Sequence, residues 1–318
     1  MYLRRDDART FVRTGLHGCR TVLTESENRV QIGTHALVFT GTFDEAGLTR
    51  AIVETKRAGF DLIEIPLMDP ATFDRHLAAR LLREHDLAAS ASLGLSESTD
   101  LTSADPAVVA AGERMLGECL DIVGAIGGTH LCGVIYSAMR KYMEPVTPAG
   151  RASSAAALRR LASRAADLGI HLSLEVVNRY ETNLMNTARE ALVFIDEIGH
   201  DNVSVHLDTY HMNIEEAGLL TPVLDVGGRL GYVHIGESHR GYLGSGTVDF
   251  GSFFRGLGRI GYDGPVVFES FSSAVVNANL SNTLGIWRNL WQDSADLAAH
   301  ANTFIRNQLA ATESIAIQ

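Results

Sequence analysis

Four residues in this chain are of types that could do chemistry, and each sits where a short apolar run ends. Glu175 closes HLSLE, Asp208 closes VSVHLD, His234 lies in YVHI and Glu269 closes VVFE. Side chains alternate across a β-strand with period two. Leu172 and Leu174 therefore share one face and Glu175 takes the other. Val203, Val205 and Leu207 oppose Asp208, Val233 and Ile235 flank His234, and Val266 and Phe268 flank Val267 and oppose Glu269. A polar residue at the end of one strand is ordinary. Four on successive strands with the same parity point to convergence. Three carboxylates brought together away from water repel and are costly to desolvate. A divalent cation resolves that conflict, and an O₃N donor set suits Mn²⁺, Co²⁺ or Mg²⁺, whereas Zn²⁺ more often takes nitrogen or sulfur.

The elements that must position these residues follow a rhythm that starts near Val30. The predicted strands are Val30–His35, Leu62–Pro66, Ala88–Leu93, Thr129–Gly133, His171–Glu175, Val203–Asp208, Tyr232–Ile235 and Val266–Glu269. Amphipathic stretches lie between them, among them Asp44–Ala58, Pro106–Ile126, Arg151–Leu168 and Thr187–Ile198. Gly59, Gly169 and Gly261 stand where helices should stop, because glycine adopts the left-handed C′ conformation at little cost. Strand–helix alternation implies parallel strands joined by crossover helices. Eight such units predict an α/β fold closed into a (β/α)₈ TIM barrel, whose active sites are built at the C-terminal rim of the strands. A doubly wound open sheet is the competing architecture. It would carry a Gly-rich phosphate turn after its first strand, and GTHALVFTG lacks that pattern.

Composition narrows the function classes. The chain has 318 residues, 46% hydrophobic, enough for one large domain with a sizeable core. Its net charge of −11 argues against a nucleic-acid partner. No apolar run is long enough to cross a bilayer, so no membrane partner is expected. The three cysteines, Cys19, Cys119 and Cys132, show neither a disulfide framework nor metal-ligand spacing, which fits a reducing cytoplasm. Residues 1–29 read as an N-terminal extension without the apolar core of a secretory signal, and residues 30–318 as a single barrel domain ending in a helical segment. Ser272–Trp291 is long for a βα loop and is expected over the barrel mouth or a subunit interface.

Longer motifs carry a resemblance. Asp100–Gly112 (DLTSADPAVVAAG), Leu174–Leu192 (LEVVNRYETNLMNTAREAL), Leu207–Glu216 (LDTYHMNIEE), His234–Gly246 (HIGESHRGYLGSG) and the FES of Phe268–Ser270 resemble the ketose 3-epimerases. That group comprises D-tagatose, D-psicose and L-ribulose 3-epimerases, within the xylose-isomerase-like barrels. The likeness spans roughly residues 32 to 292 and is nearest to the L-ribulose type. It implies one divalent ion per subunit, Mn²⁺ or Co²⁺ with Mg²⁺ as the further choice, held by Glu175, Asp208, His234 and Glu269. It implies substrate contacts from Glu181 (NRYE), His211 (TYHMN) and Arg240 (ESHR), a small-molecule ketose as substrate, and a homo-oligomer, tetramer or dimer.

The implied reaction inverts C3 of a free ketose. Removing the C3 proton leaves a cis-enediolate, and Lewis acidity at its oxygens is what brings that proton within reach of a carboxylate. The resemblance implies that Glu175 and Glu269 flank C3 as the two acid/base groups. The plainer readings are a surface ion pair for Arg240 and Glu181, and a helix cap for His211. Glu64 in LIEIP and Glu237 beyond His234 are expected to support the ligands through hydrogen bonds. His206 and His171 are expected as satisfied histidines of the deeper interior. Phe39, Phe43, Tyr136 and Tyr142 are candidates to wall the sugar. An aldose–ketose isomerase is the alternative on the same barrel, though such enzymes show a second metal site and more carboxylates. An apurinic endonuclease would need a histidine-rich three-metal cluster and a basic face. A silent sugar-binding barrel would have lost one of the ligands. Neither loss nor extra cluster is visible.

Overall fold

The computed structural model describes residues 30–316, with side chains to 312. The expected N-terminal extension lies outside the described residues. Eight parallel strands close in sequence order into a barrel, β1 pairing with both β2 and β8. They are β1 (Ile32–His35), β2 (Leu62–Pro66), β3 (Ala88–Leu95), β4 (His130–Ala138), β5 (His171–Val176), β6 (Val203–Asp208), β7 (Leu230–Ile235) and β8 (Val266–Phe268). The helices in chain order are α1 (Glu45–Arg57), α2 (Arg75–Glu84), α3 (Pro106–Ala125), α4 (Pro148–Asp167), α5 (Ala188–Ile198), α6 (Thr209–Glu215), α7 (Leu220–Val226), α8 (Phe250–Ile260), α9 (Ala278–Leu284) and α10 (Ser294–Ala316). Among the described residues no helix is long and apolar enough to cross a membrane.

Local chemistry explains why the helices begin and end where they do. Asp44, Asp74, Asp105, Thr147, Thr187 and Asp249 each accept a backbone N–H of the first turn. Thr187 and Glu190 form a reciprocal capping box. At the other end, Gly261 closes α8 with φ +64° in the left-handed region, as its place in the sequence predicts.

The alternation read from the sequence sorts the side chains. Most of the core, including Leu48, Ile52, Leu120, Leu158, Phe194 and Phe254, fills the space between barrel and helices. A separate small cluster of Leu62, Cys132, Tyr232 and Val267 plugs the barrel interior. Above that plug the inward positions turn polar. His35 pairs in register with Glu64, Glu175 with His206, and Asp208 with His234. Burying apolar groups at about 25 cal/mol per Å² on the outer face stabilises the barrel, and so frees its upper interior to carry groups that do not stabilise it.

Several strand ends differ from the sequence reading. β4 runs five residues further, to Ala138, because Val134 and Tyr136 continue the alternation past Gly133. β3 reaches Leu95, with a register irregularity at Gly94. β8 stops at Phe268, although the Glu269 N–H still donates to the Ile235 carbonyl at 3.1 Å and so keeps the ladder's direction.

Candidate active site

Glu175, Asp208, His234 and Glu269 converge at the C-terminal mouth. One donor atom from each lies within 4.8 Å of the other three, and all four residues are buried. His234 Nδ1 is 3.5 Å from Glu175 Oε1, 3.6 Å from Glu269 Oε2 and 4.0 Å from Asp208 Oδ2. The sequence-predicted quartet is therefore one cluster. The residues fit a divalent ion on the structure's own terms: His234 Nδ1 is buried without a hydrogen-bond partner among the described residues, and three carboxylates face it. Buried polar atoms without partners are uncommon and call for a ligand or an explanation. Burial pushes the Glu175 carboxyl up to about 8, with the His234 ring working against it and the Glu269 and Asp208 charges adding to it. A group of carboxylates that resists joint ionisation is what a cation would relieve.

The three further predicted residues line the same mouth. Arg240 reaches across it, Nη2 lying 2.9 Å from Asp208 Oδ2 and Nη1 2.8 Å from Glu269 Oε2. Its guanidinium stacks 4.0 Å from the Tyr210 ring centroid and 5.3 Å from that of Phe271. It is thus a half-buried bridge over two carboxylates and not a surface ion pair with Glu181. Its backbone has φ +60°, a conformation that costs a non-glycine residue energy. The turn is held: Ser270 Oγ donates to the Arg240 carbonyl at 2.5 Å, and Trp291 Nε1 donates to Ser270 Oγ at 2.8 Å.

His211 sits in the first turns of α6. Its Nδ1 accepts from the Asn178 N–H at 3.1 Å, which leaves Nε2 to carry the proton, 3.7 Å from both Glu175 and Asp208. Burial lowers its pKa to about 3, so the ring is neutral. The Asn178 side chain also donates to Glu181 Oε1 at 2.9 Å. One asparagine, not singled out by the sequence reading, therefore orders both His211 and Glu181.

The remaining expectations divide. Glu64 does reach the quartet: its Oε2 is 2.7 Å from His234 Nε2. Glu237 does not. It is fully buried, but its carboxylate accepts the N–H groups of Ser238, Gly244 and Val248 and so binds the β7–α8 loop together. His206 is buried as expected but not satisfied; neither ring nitrogen has a partner among the described residues, and it packs edge-on to His234 and Tyr232. His171 is exposed, stacked on His130 at the foot of the barrel, because it is the first residue of its strand.

The four aromatic wall candidates also fall elsewhere. Phe39 and Tyr136 are core residues, Tyr142 donates to Asp100, and Phe43 lines a separate depression. The mouth opens into two adjoining chambers of about 290 and 400 Å³ that share Val134, Met139, Glu175, Glu269, Phe271 and Leu284. One is polar, with Glu181, His211 and Arg240. The other adds Leu37, Pro66, Met68 and Leu280. Val134 could have been found by extending the β4 alternation. Phe271 and Leu284 lie beyond the last strand, where no periodicity marks a direction.

A closed eight-stranded barrel with a buried O₃N cluster at its mouth defines a class, the metal-competent TIM barrels. Residues 52–301 match the xylose isomerase-like TIM-barrel family. The chain is 61% identical over 286 residues to a ketose 3-epimerase of Arthrobacter globiformis, covering 90% of this chain and 99% of that one. It is 57% identical over 280 residues to an L-ribulose 3-epimerase of Methylomonas sp., covering 88% and 98%. A crystal structure of D-allulose 3-epimerase from Methylomonas sp. in complex with D-allulose superposes with a TM-score of 0.87 at 56% identity, covering 88% of this chain and 98% of that one. The chain belongs to the xylose isomerase-like TIM-barrel family and, within it, to the ketose 3-epimerases, enzymes of the isomerase class.

Proposed function

We propose that this protein inverts C3 of free ketoses of the L-ribulose and D-psicose kind, with a divalent cation, Mn²⁺ or Co²⁺, held by Glu175, Asp208, His234 and Glu269. The observation that carries this reading is the buried quartet, in which His234 Nδ1 has no hydrogen-bond partner among the described residues. A cation bound there supplies Lewis acidity toward the oxygens next to C3.

The chain's own residues account for the rest. Glu175 stands on β5 and Glu269 follows β8, three strands apart around a ring of eight, so their carboxylates enter the mouth from different sides. One takes the C3 proton and the other returns a proton to the opposite face; the reverse reaction exchanges the roles. Glu181, His211 and Arg240 hold the ketose at its C1–C3 end, and Arg240 offsets negative charge that develops on oxygen. The neutral His211 offers its Nε2 proton as a donor. The apolar chamber takes the far end of the sugar and keeps water from it. The working unit is residues 30–318 as one domain, assembled as a homo-oligomer, dimer or tetramer, in the cytoplasm.

The test is deuterium wash-in. Ketose incubated in D₂O with the Mn²⁺-loaded protein should gain label at C3 and yield the C3 epimer. Glu175→Gln and Glu269→Gln should each lower the rate at least about 100-fold. Label at C1 with aldose as product would replace this reading with an aldose–ketose isomerase. Undiminished exchange in either variant would remove the two-carboxylate mechanism.

A further inference from the structure

Behind the quartet lies a further buried carboxylate that the proposed reaction does not use. Glu64 on β2 is wholly inaccessible to solvent, on the side of the barrel opposite most of the cluster. Its Oε2 lies 2.7 Å from His234 Nε2 and accepts from the Tyr232 hydroxyl at 2.8 Å. That hydroxyl is in turn 2.5 Å from Ser90 Oγ. Its Oε1 is 3.4 Å from His35 Nε2. His35 Nδ1 accepts the Leu37 N–H at 3.2 Å, which leaves the His35 proton on Nε2, facing Glu64. The carboxylate is thus fixed from strands β1, β3 and β7 as well as held by its own.

We propose that Glu64 is a positioning residue for the cation, holding His234 as the Nε2–H tautomer so that Nδ1 presents its lone pair to the Glu175–Asp208–Glu269 cluster. The argument is one of donors and acceptors. A neutral imidazole carries one proton on one of two nitrogens. A carboxylate 2.7 Å from Nε2 can only accept, so the proton belongs there. Nδ1, buried and without a hydrogen-bond partner among the described residues, is then free to bind metal. Rotating or re-protonating the ring would strand Glu64, which is wholly inaccessible to solvent, at a cost larger than that of an ordinary lost hydrogen bond. Histidine ligands are commonly oriented by such a partner on the far nitrogen. Here the partner comes from the half of the barrel that contributes none of the quartet.

The inference rests on the metal reading above, and the experiment separates the two. Mn²⁺ affinity of the metal-free wild-type protein and of Glu64→Gln is measured by calorimetric titration, with Co²⁺ absorption as a second signature. Glu64→Gln keeps the shape of the side chain and removes its charge. The expected result is about 10- to 100-fold weaker Mn²⁺ binding and an altered Co²⁺ spectrum. Excess Mn²⁺ should restore most of kcat while the ketose KM stays near its wild-type value. Equal Mn²⁺ affinity and an unchanged Co²⁺ spectrum in the variant overturn the proposal and leave the metal site standing. A wild-type protein that takes up no Mn²⁺ overturns both. If Glu64→Gln does not fold, histidine ¹⁵N shifts of the Mg²⁺-loaded wild-type protein decide: an Nε2–H His234 supports the proposal, and an Nδ1–H His234 ends it.

Discussion

The two halves of the barrel are built alike and do different work. β5 to β8 deliver all four members of the quartet, and the loops and helix that follow them deliver Glu181, His211 and Arg240. β1 to β4 deliver no member of that quartet. They supply Glu64 behind His234, with His35, Ser90 and Ser92 around it, and apolar wall from Leu37, Pro66, Met68 and Val134. Both halves bury charge or polarity in the barrel interior. They differ in whether the polar atoms are spent on one another. In the first half Glu64 of β2 and Ser90 of β3 are joined through the Tyr232 hydroxyl, which reaches them from β7, in a connected chain of hydrogen bonds. In the second, His234 Nδ1 has no hydrogen-bond partner among the described residues, and Asp208 Oδ2 faces the Arg240 guanidinium at 2.9 Å. The proposed chemistry draws on carboxylates that face the open mouth, while those closed in by neighbouring donors act as props.

The sharpest way to break this comparison is to substitute one buried polar residue in each half. Asp208→Asn keeps the size of the side chain and removes one of three charges. It should abolish both Mn²⁺ uptake and epimerisation. Ser92 is nearly as buried across the barrel, and its Oγ is 3.3 Å from His35 Nε2. Ser92→Ala deletes one neutral contact of about 1 kcal/mol and should cost less than about tenfold in kcat/KM. Steady-state rates over a Mn²⁺ series check both. Equal losses would mean that the halves share the chemistry.

That asymmetry also decided what could be read from the sequence. The eight strands and the inward parity of the quartet were legible because period-two alternation encodes direction, and each reactive residue stands at a strand end. Glu64 was legible as an inward carboxylate, but not as the partner of His234 in particular, since that depends on reach across the barrel between residues 170 positions apart. Asn178 gave no signal at all; its value lies in touching His211 and Glu181 at once. The walls were misplaced because loop residues such as Phe271 obey no period. Tyr136 looked available in sequence, yet it is fully buried in the core, where its hydroxyl donates to the Glu175 carbonyl.

A smaller effect sharpens the comparison within the reactive half. Arg240 holds a left-handed backbone, and Ser270 and Trp291 brace its carbonyl. Ser270→Ala removes the brace and leaves the buried Trp291 N–H unpaired, at a cost of about 1–3 kcal/mol. Since Arg240 is proposed to grip the ketose, the loss should appear as a raised ketose KM with Mn²⁺ affinity unchanged. A shift in Mn²⁺ affinity with KM intact would assign Arg240 to the metal cluster instead. Separate titrations of ketose and Mn²⁺ distinguish the two.

The smallest expected effect tests whether membership of the second half is enough for a role in chemistry. Asp249 follows the β7–α8 loop and caps α8, its Oδ1 accepting from the Ser252 N–H at 3.0 Å and its Oδ2 from the Ser252 hydroxyl at 2.5 Å. It is a satisfied carboxylate outside the lining of the mouth and therefore a prop. Asp249→Ala should lower stability by about 1 kcal/mol and leave kcat/KM unchanged. Hydrogen bonds from the Ser252 side chain and backbone hold its carboxyl below the ordinary aspartate value. A depressed folded-state pKa adds stability above the unfolded-state value, near 4, and that contribution fades as pH falls through the lower folded value. Melting curves of the wild-type protein and the variant should therefore stand apart at neutral pH and approach each other in acid below about pH 4. Curves that stay equally separated in acid would show that the cap acts through packing and not through its charge. A fall in kcat/KM at neutral pH would extend the reactive set beyond the mouth and undo the distinction between carboxylates that face it and those closed in by neighbouring donors.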